Sequence, residues 1–327
     1  MTPAITVRNP GLLSLIVDLG RNGFGAVGVP SSSALDRLAC HALYSLLDLA
    51  NAPVLEVIGP RFALQFDADV ICAIAGAKVK AFLDDTPLRP WASFHAKKGS
   101  LLRVMEITEG FRYYIGFAGK VKAEAVMDSY TTNLECRFGG LNGGPLKSGD
   151  PLHLEDLREP DPNVIPMNLI PLMTSPHILR VMEGPEACSF TVDSRRHFWE
   201  KGFHELFTVS THLNRTGIRL EGAPLLFEPE APKSIVSEGI VPGTIQIPGD
   251  GLPIIQLHER TIGGYARAAV IARADQDRLA HLKAGDLVCF ERITMDEGER
   301  LWMEKQKRIA HLPSRADSTS LSSGTDR

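Results

Sequence analysis

The feature that most limits this chain is its punctuation. Ala4–Arg8, Leu12–Asp18, Val54–Ile58, Phe62–Phe66, Val70–Ala75, Val79–Leu83, Leu101–Ile107 and Arg112–Ala118 are short apolar runs bounded by Gly, Pro, Asn, Asp or charged residues. Their spacing of about 8 to 12 residues, with turn signals between them, points to a β-barrel or sandwich. The 29 Gly and 22 Pro residues are about 16 % of the chain, against an average near 12 %, which favours frequent turns over a helix bundle. Ser33–Asn51 breaks the rhythm. Leu35, Leu38, Ala39, Ala42, Leu43, Leu46 and Leu47 recur there at helical spacing, with Asp36 in the first turn.

A chain of 327 residues is comfortable for two domains. Between Glu155 and Pro176 lie Pro160, Pro162, Pro166, Pro171 and Pro176, and proline blocks both helix and central strand. The expected layout is a β-rich domain over 1–154, a proline-rich linker over 155–176 and a second β-rich domain over 177–293. Two helix-like inserts, Cys188–Lys201 and Asp275–Leu282, fall in that second domain. Residues 294–327 hold a charged helix, Met295–Leu312, and a Ser/Thr-rich tail, Pro313–Arg327, too polar to offset its chain entropy and so expected to be disordered. Leu146-Lys147-Ser148-Gly149-Asp150 and Leu282-Lys283-Ala284-Gly285-Asp286 close the two halves alike, a faint sign of duplication.

With 35 basic and 39 acidic residues the formal charge is −4, which does not suit a general nucleic-acid binder. Cys40, Cys72, Cys136, Cys188 and Cys289 are odd in number and far apart, arguing against a disulfide framework or a zinc cage. No run approaches a membrane span, and Met1–Pro10 lacks the layout of a signal peptide. A cytoplasmic protein is expected.

No phosphate loop, metalloprotease helix, nucleophile elbow or His cluster is present. Gly139–Gly144 reads either as a backbone cradle for an anion or as a wide turn. Four polar stretches carry the candidate chemistry. Asp18 and Arg21 flank a glycine, and Ser31–Ser33 precede the helix, as an anion site or as its N-cap. Asn214, Arg215 and Arg219 follow, the arginines suited to grip a carboxylate or phosphate, or else to form surface ion pairs with Glu221 or Glu183. Glu238, Gln246 and Asp250 lie in a Gly/Pro-rich course. Thr261, Gly263, Gly264 and Tyr265 form either a close backbone approach to a ligand or a tight hairpin with a packed Tyr.

The order Asp18-Leu-Gly-Arg21, Gly28-Val-Pro30, Ser32, Asp36, Asn214-Arg215-x-Gly217-x-Arg219-Leu-Glu-Gly222, Ser237-Glu-Gly239, Val241-Pro-Gly243, Gln246-x-Pro248-x-Asp250-Gly251-x-Pro253 and Thr261-x-Gly-Gly-Tyr265 resembles the biotin-dependent carboxyltransferase-domain family. That family includes the C subunit of 5-oxoprolinase, the KipI antagonist and the allophanate hydrolase subunit 2-type domain of urea carboxylase. The resemblance implies a mainly β fold with a few helices, as two cyclophilin-like β-barrel domains in tandem with a cleft between them. It implies one component of an ATP-dependent amide or lactam hydrolase of the 5-oxoprolinase type, with ATP used by the assembled complex and partners resembling the B and A subunits of 5-oxoprolinase. Under that reading Glu238 or Asp250 is the general base. Asp18, Arg21, Ser32 and Asp36 bind substrate, with Asp18 and Arg21 shaping the cleft. Asn214, Arg215, Arg219, Gln246, Thr261, Gly263, Gly264 and Tyr265 bind substrate. Alternatives are a carboxyltransferase component of a urea-type carboxylase, with biotin supplied in trans, and a regulator antagonising a kinase inhibitor. The chain departs from the family pattern at Ser33, Tyr130, Thr216, His258, Glu259, Arg260, Ile262 and Ala266, and these changes alter the charge a cleft could hold.

Overall fold

The computed structural model describes residues 4–200 and 206–313. The tail expected to be disordered lies, from residue 314 on, outside the described residues. The chain divides into two units. Unit 1 comprises 1–21, 36–172 and 307 onward, and unit 2 comprises 22–35 and 173–306. The cut differs from a simple linear one at two places. Residues 22–35 count with the second unit. The proline-rich stretch counts with the first as far as residue 172, because it is tied there: Ile165 is fully buried and its N–H donates to Trp91 O, while Asn163 O accepts from Ser93 N.

Unit 1 contains β1 (Ile5–Asn9), β2 (Leu13–Val17), α1 (Arg37–Leu47), β3 (Val54–Ile58), β4 (Phe62–Phe66), β5 (Val70–Leu83), β6 (Thr86–Leu88), β7 (Ser93–Ala96), β8 (Leu101–Phe117), β9 (Lys120–Val121), β10 (Pro151–Leu152) and β11 (Leu154–Glu155). Nine of these strands form one sheet, with β10-β1-β4-β8-β3-β2 along its main path. β9 and β11 pair separately. The 17 residues of β8 allow successive stretches of one edge to take β4 and then β3, while the other edge carries β5. Val70–Ala75 and Val79–Leu83, expected as separate strands, are therefore one strand. Leu101–Ile107 and Arg112–Ala118 likewise merge into β8. Gly76, at φ 93°, bends β5 without ending it, and pairing to β8 resumes through bulges. α1 obeys its periodicity: Leu38, Ala39, Ala42, Leu43, Leu46 and Leu47 are all buried. A Cβ at Gly116 of β8 would stand 2.7 Å from Leu47 Cδ1, so this glycine permits the close seating of the helix.

Unit 2 contains β12 (His177–Glu183), α2 (Val192–Trp199), β13 (Phe207–Leu213), β14 (Gly217–Glu221), β15 (Glu238–Gly239), β16 (Thr244–Ile247), β17 (Ile254–Gln256), β18 (Ile262–Gly263), β19 (Ala266–Ile271), β20 (Leu287–Arg292) and α3 (Met295–Ala310), whose final residues count with unit 1. Seven strands close a barrel in the order β12-β19-β16-β17-β14-β13-β20, with β20 returning to pair parallel with β12. Closure removes free sheet edges. Inward residues fill the centre: Leu179, Val181, Ile218, Leu220, Ile245, Ile247 and Ile255 form one cluster. Phe198 of α2 joins it, 4.7 Å from Phe290 and 5.9 Å from Phe207 between ring centroids. The insert expected as a helix over Cys188–Lys201 is a short 3-10 turn followed by α2, and the one over Asp275–Leu282 is a 3-10 segment, Arg273–His281.

The two matched endings are the same structure twice. In unit 1, Lys147 N–H donates to Asp150 Oδ2 and Asp150 N–H to Lys147 O, with Gly149 at φ 91°. In unit 2, Lys283 N–H donates to Asp286 Oδ2 and Asp286 N–H to Lys283 O, with Gly285 at φ 88°. Each turn then exchanges two bonds with a strand residue, Val7 in one unit and Val209 in the other. The whole is mainly β with a few helices, consistent with two tandem barrel domains.

Candidate functional site

In unit 1 the predicted residues are bound into the framework. Asp18 follows β2 and is fully buried. Its Oδ1 accepts from Gly20 N, Ser129 Oγ and Thr131 Oγ1, and its Oδ2 from Tyr130 N, all at 2.7–2.8 Å. Arg21 grips the same loop, with Nη2 donating to Thr131 O at 2.7 Å and the guanidinium lying 4.7 Å from the Phe138 ring centroid. Asp36 caps α1, its Oδ1 accepting from Ala39 N. Its own N–H donates to Tyr114 Oη, which donates in turn to Glu56 beside Arg112. The helix cap is thus Asp36, with the serines standing outside the helix. Gly139–Gly144 is a wide turn. Its glycine N–H groups go to Glu124 Oε2, Tyr130 O, Gly139 O and Leu141 O, so the loop offers no cradle to a phosphate.

In unit 2 the serine run meets the two sites that follow it far along the chain. Ser32 sits in the left-handed region at φ 47°. Its N–H donates to His258 O at 3.0 Å and its hydroxyl to Glu259 Oε2 at 2.6 Å. Ser33 Oγ and Ser31 Oγ lie 2.9 and 3.3 Å from His258 Nδ1. Arg215 completes the group: Nε is 3.2 Å from Glu259 Oε1, and Nη2 donates to Ser33 O at 2.8 Å. Both side chains of this ion pair are more than nine-tenths buried.

The remaining residues flank that cluster in sequence. Asn214 Oδ1 accepts from Thr216 N and Gly217 N, shaping the turn between β13 and β14. Arg219 and Asp250 pair with each other at a partly exposed position. The partners of the two arginines are thus Glu259 and Asp250, in place of Glu221 or Glu183. Gln246 is buried, with Oε1 accepting from Gln256 Nε2 at 2.9 Å and Nε2 donating to Tyr265 O at 3.3 Å. A Cβ at Gly263 would come within 2.2 Å of Gln246 Nε2, so only glycine admits this amide. Gly264 O accepts from Ile235 N. Thr261 Oγ1 approaches Gly28 O at 3.4 Å. Tyr265 is 43 % exposed, which removes the packed-Tyr reading. Glu238 pairs by strand register with Gly263 and receives Arg267 Nη2 at 2.8 Å. Arg267 also grips Glu186 through two parallel bonds of 2.6 and 2.7 Å. These bonds hold the Glu186 carboxyl below the usual carboxylate range and raise Arg267 above its own. Among the described residues no group of three or more His, Cys, Asp or Glu is poised to hold a metal, and no helix is long and apolar enough to cross a membrane.

Residues 27–292 match the family described as carboxyltransferase domain, subdomain A and B. The chain belongs to this family. It is 29 % identical over 310 residues to the C subunit of 5-oxoprolinase from Escherichia coli K12, covering 94 % of this chain and 97 % of that one. The corresponding protein of Haemophilus influenzae is also 29 % identical, over 88 % of this chain and 90 % of its own length. The urea amidolyase of Saccharomyces cerevisiae is 28 % identical over 94 % of this chain, which spans only 18 % of that longer protein. The crystal structure of the Kluyveromyces lactis urea amidolyase superposes with a TM-score of 0.88 at 25 % identity, over 96 % of this chain and 20 % of that one.

Five participants escape the sequence reading as site residues: His258, Glu259, Glu186, Gln256 and Arg267. For the first two a signal exists, since both stand where the chain departs from the family pattern. The others are ordinary strand or loop residues whose role depends on strand pairing. Gln256 is brought to Gln246 by the β16–β17 register, and Arg267 to Gln246 and Glu186 by β19.

Proposed function

We propose that this chain is the component of an ATP-dependent amide hydrolase that corresponds to the C subunit of 5-oxoprolinase. It acts on 5-oxoproline or a similar small amide together with a partner resembling the B subunit and, in the full assembly, one resembling the A subunit. The observation that carries the reading is the near end-to-end match to the 5-oxoprolinase C subunits. Water opening a strained or resonance-stabilised amide needs a base and donors for the carbonyl oxygen. Glu238 is the base in this reading: it is 57 % exposed at its side chain and held by one guanidinium. Asp250, committed to Arg219 and to Leu252 N, is the second candidate. Thr261 and the backbone of Gly263 and Gly264, on and just outside the short strand that pairs with Glu238, orient the amide, with Gln246 fixing the course of that backbone. ATP, hydrolysed by the assembled complex, supplies the driving force of the opening. The glycine loop of unit 1 does not fit it, and no step on this chain is assigned to it.

The test is co-purification with the partner resembling the B subunit, followed by ATP hydrolysis with and without 5-oxoproline and related amides. Stimulation by a small amide, lost in Glu238→Gln, is expected. A stable complex whose ATP hydrolysis ignores every amide overturns the reading. The likeness to urea amidolyase favours a second reading, a carboxyltransferase served by biotin in trans. It predicts carboxyl transfer to an amide once a carboxybiotin carrier is added.

A further inference from the structure

Resting on the hydrolase reading above, we infer that the unit 2 face selects a small amide that carries no carboxylate, and that Glu259 sets this preference by neutralising Arg215. Both oxygens of Glu259 are engaged, one by Arg215 Nε at 3.2 Å and one by Ser32 Oγ at 2.6 Å. The pair is buried on both sides. An acidic substrate could use Arg215 only by expelling Glu259, and a carboxylate left buried without its cation is strongly unfavourable. The other guanidiniums are matched in the same way. Arg219 pairs with Asp250, and Arg267 with both Glu186 and Glu238. Across these groups each of the three guanidiniums is met by at least one carboxylate. Arg260 stands on the surface, where salt screens it.

What the face offers instead is neutral. Gln246 and Gln256 are two buried carboxamides bonded to each other. Beside Gln246 runs the backbone from Gly263 to Tyr265. Such groups donate and accept without charge, as a lactam does. A substrate carboxylate would find the guanidiniums of Arg215, Arg219 and Arg267 each already met by a carboxylate.

The probes are 5-oxoproline and 2-pyrrolidinone, the same five-membered lactam with and without the carboxylate. Each is titrated calorimetrically into the full chain and, in parallel, into the partner-loaded complex with ATP hydrolysis as readout. Tighter binding of 2-pyrrolidinone, by about tenfold or more, is expected. Glu259→Gln keeps an acceptor for Ser32 while releasing the charge of Arg215, and should move the ratio about tenfold toward the acid. Asp250→Asn, at an exposed pair, should move it in the same direction by less, and serves if the buried variant does not fold. Equal or tighter binding of 5-oxoproline to the wild-type chain overturns the inference, as does binding of neither lactam. Preferential 2-pyrrolidinone binding with ATP hydrolysis that ignores every amide sustains the selectivity and removes the hydrolase reading.

Discussion

Asp18 is the most informative single residue to remove. Its carboxylate takes hydrogen bonds from Gly20 N, Tyr130 N, Ser129 Oγ and Thr131 Oγ1 in a fully buried position. In Asp18→Ala the two hydroxyls can rotate to other acceptors, but the two N–H groups cannot. Each orphaned, half-buried N–H costs toward the lower end of about 1–3 kcal/mol, and the two hydroxyl bonds add about 0.5–1.5 kcal/mol each, so a loss of about 3–5 kcal/mol is expected. For a unit of this size that corresponds to roughly 6–20 °C in melting temperature. Asp18→Asn keeps the oxygen that serves three donors and turns an amide N–H₂ toward Tyr130 N, so about half the loss is expected. Urea denaturation followed by circular dichroism gives the stability, and hydrogen exchange at Tyr130 and Gly20 localises it. A loss below about 1 kcal/mol in Asp18→Ala, or unchanged protection of the Tyr130 amide, would refute the reasoning. Lost activity at full stability would instead make Asp18 a substrate residue.

Gly263→Ala should cost about 1–3 kcal/mol, because its Cβ would press on the Gln246 amide; Gln246→Ala in the same chain should recover most of that in a double-mutant cycle. Arg215→Met should cost about 3–5 kcal/mol by leaving Glu259 buried without its cation, and Arg215→Met with Glu259→Met should cost less than the single change. Both are read by denaturant titration. Burial lowers the pKa of His177 below its ordinary value, outweighing Asp286 at 3.4 Å. The unfolded chain therefore takes up this proton first, and the stabilising contribution is full above about pH 6.5 and lost as pH falls through the lower folded value. Denaturation midpoints between pH 8 and pH 5 should fall with acid in the wild type and fall less in His177→Asn.

Elements with complete local signals can be read from the sequence. α1 has both its buried stripe and an acidic residue where the cap belongs. β3 lies between Pro53 and Gly59 and β4 between Gly59-Pro60-Arg61 and Asp67, and both match the structure residue for residue. β5 and β8 are not legible as continuous strands, because glycines at positive φ mark a turn locally while pairing between the two long strands overrides them. At the site, sequence marks Arg215 and Ser32 as polar residues worth attention. It cannot tell that a carboxylate between them satisfies both, because Glu259 reaches them only through tertiary structure. Asp250 and Arg219 read as separate chemical groups and are one ion pair, a contact set by the pairing of β14 with β17 rather than by sequence spacing.

The assignment of 22–35 to unit 2 has a consequence for synthesis. Ser32 and Ser33 find their partners 227 and 225 residues downstream. At roughly 5–20 residues per second, the ribosome takes about 11–45 s to deliver them. During that interval the stretch is held without its contacts while the chain on both sides of it is free to fold. Its composition suits the wait: among its 14 residues only Phe24, Val27, Val29 and Leu35 are sizeable and apolar, so it has little to aggregate with. The same delay leaves an early chain able to accept its partners from a neighbouring ribosome, and crowding on one message would favour such exchange between molecules.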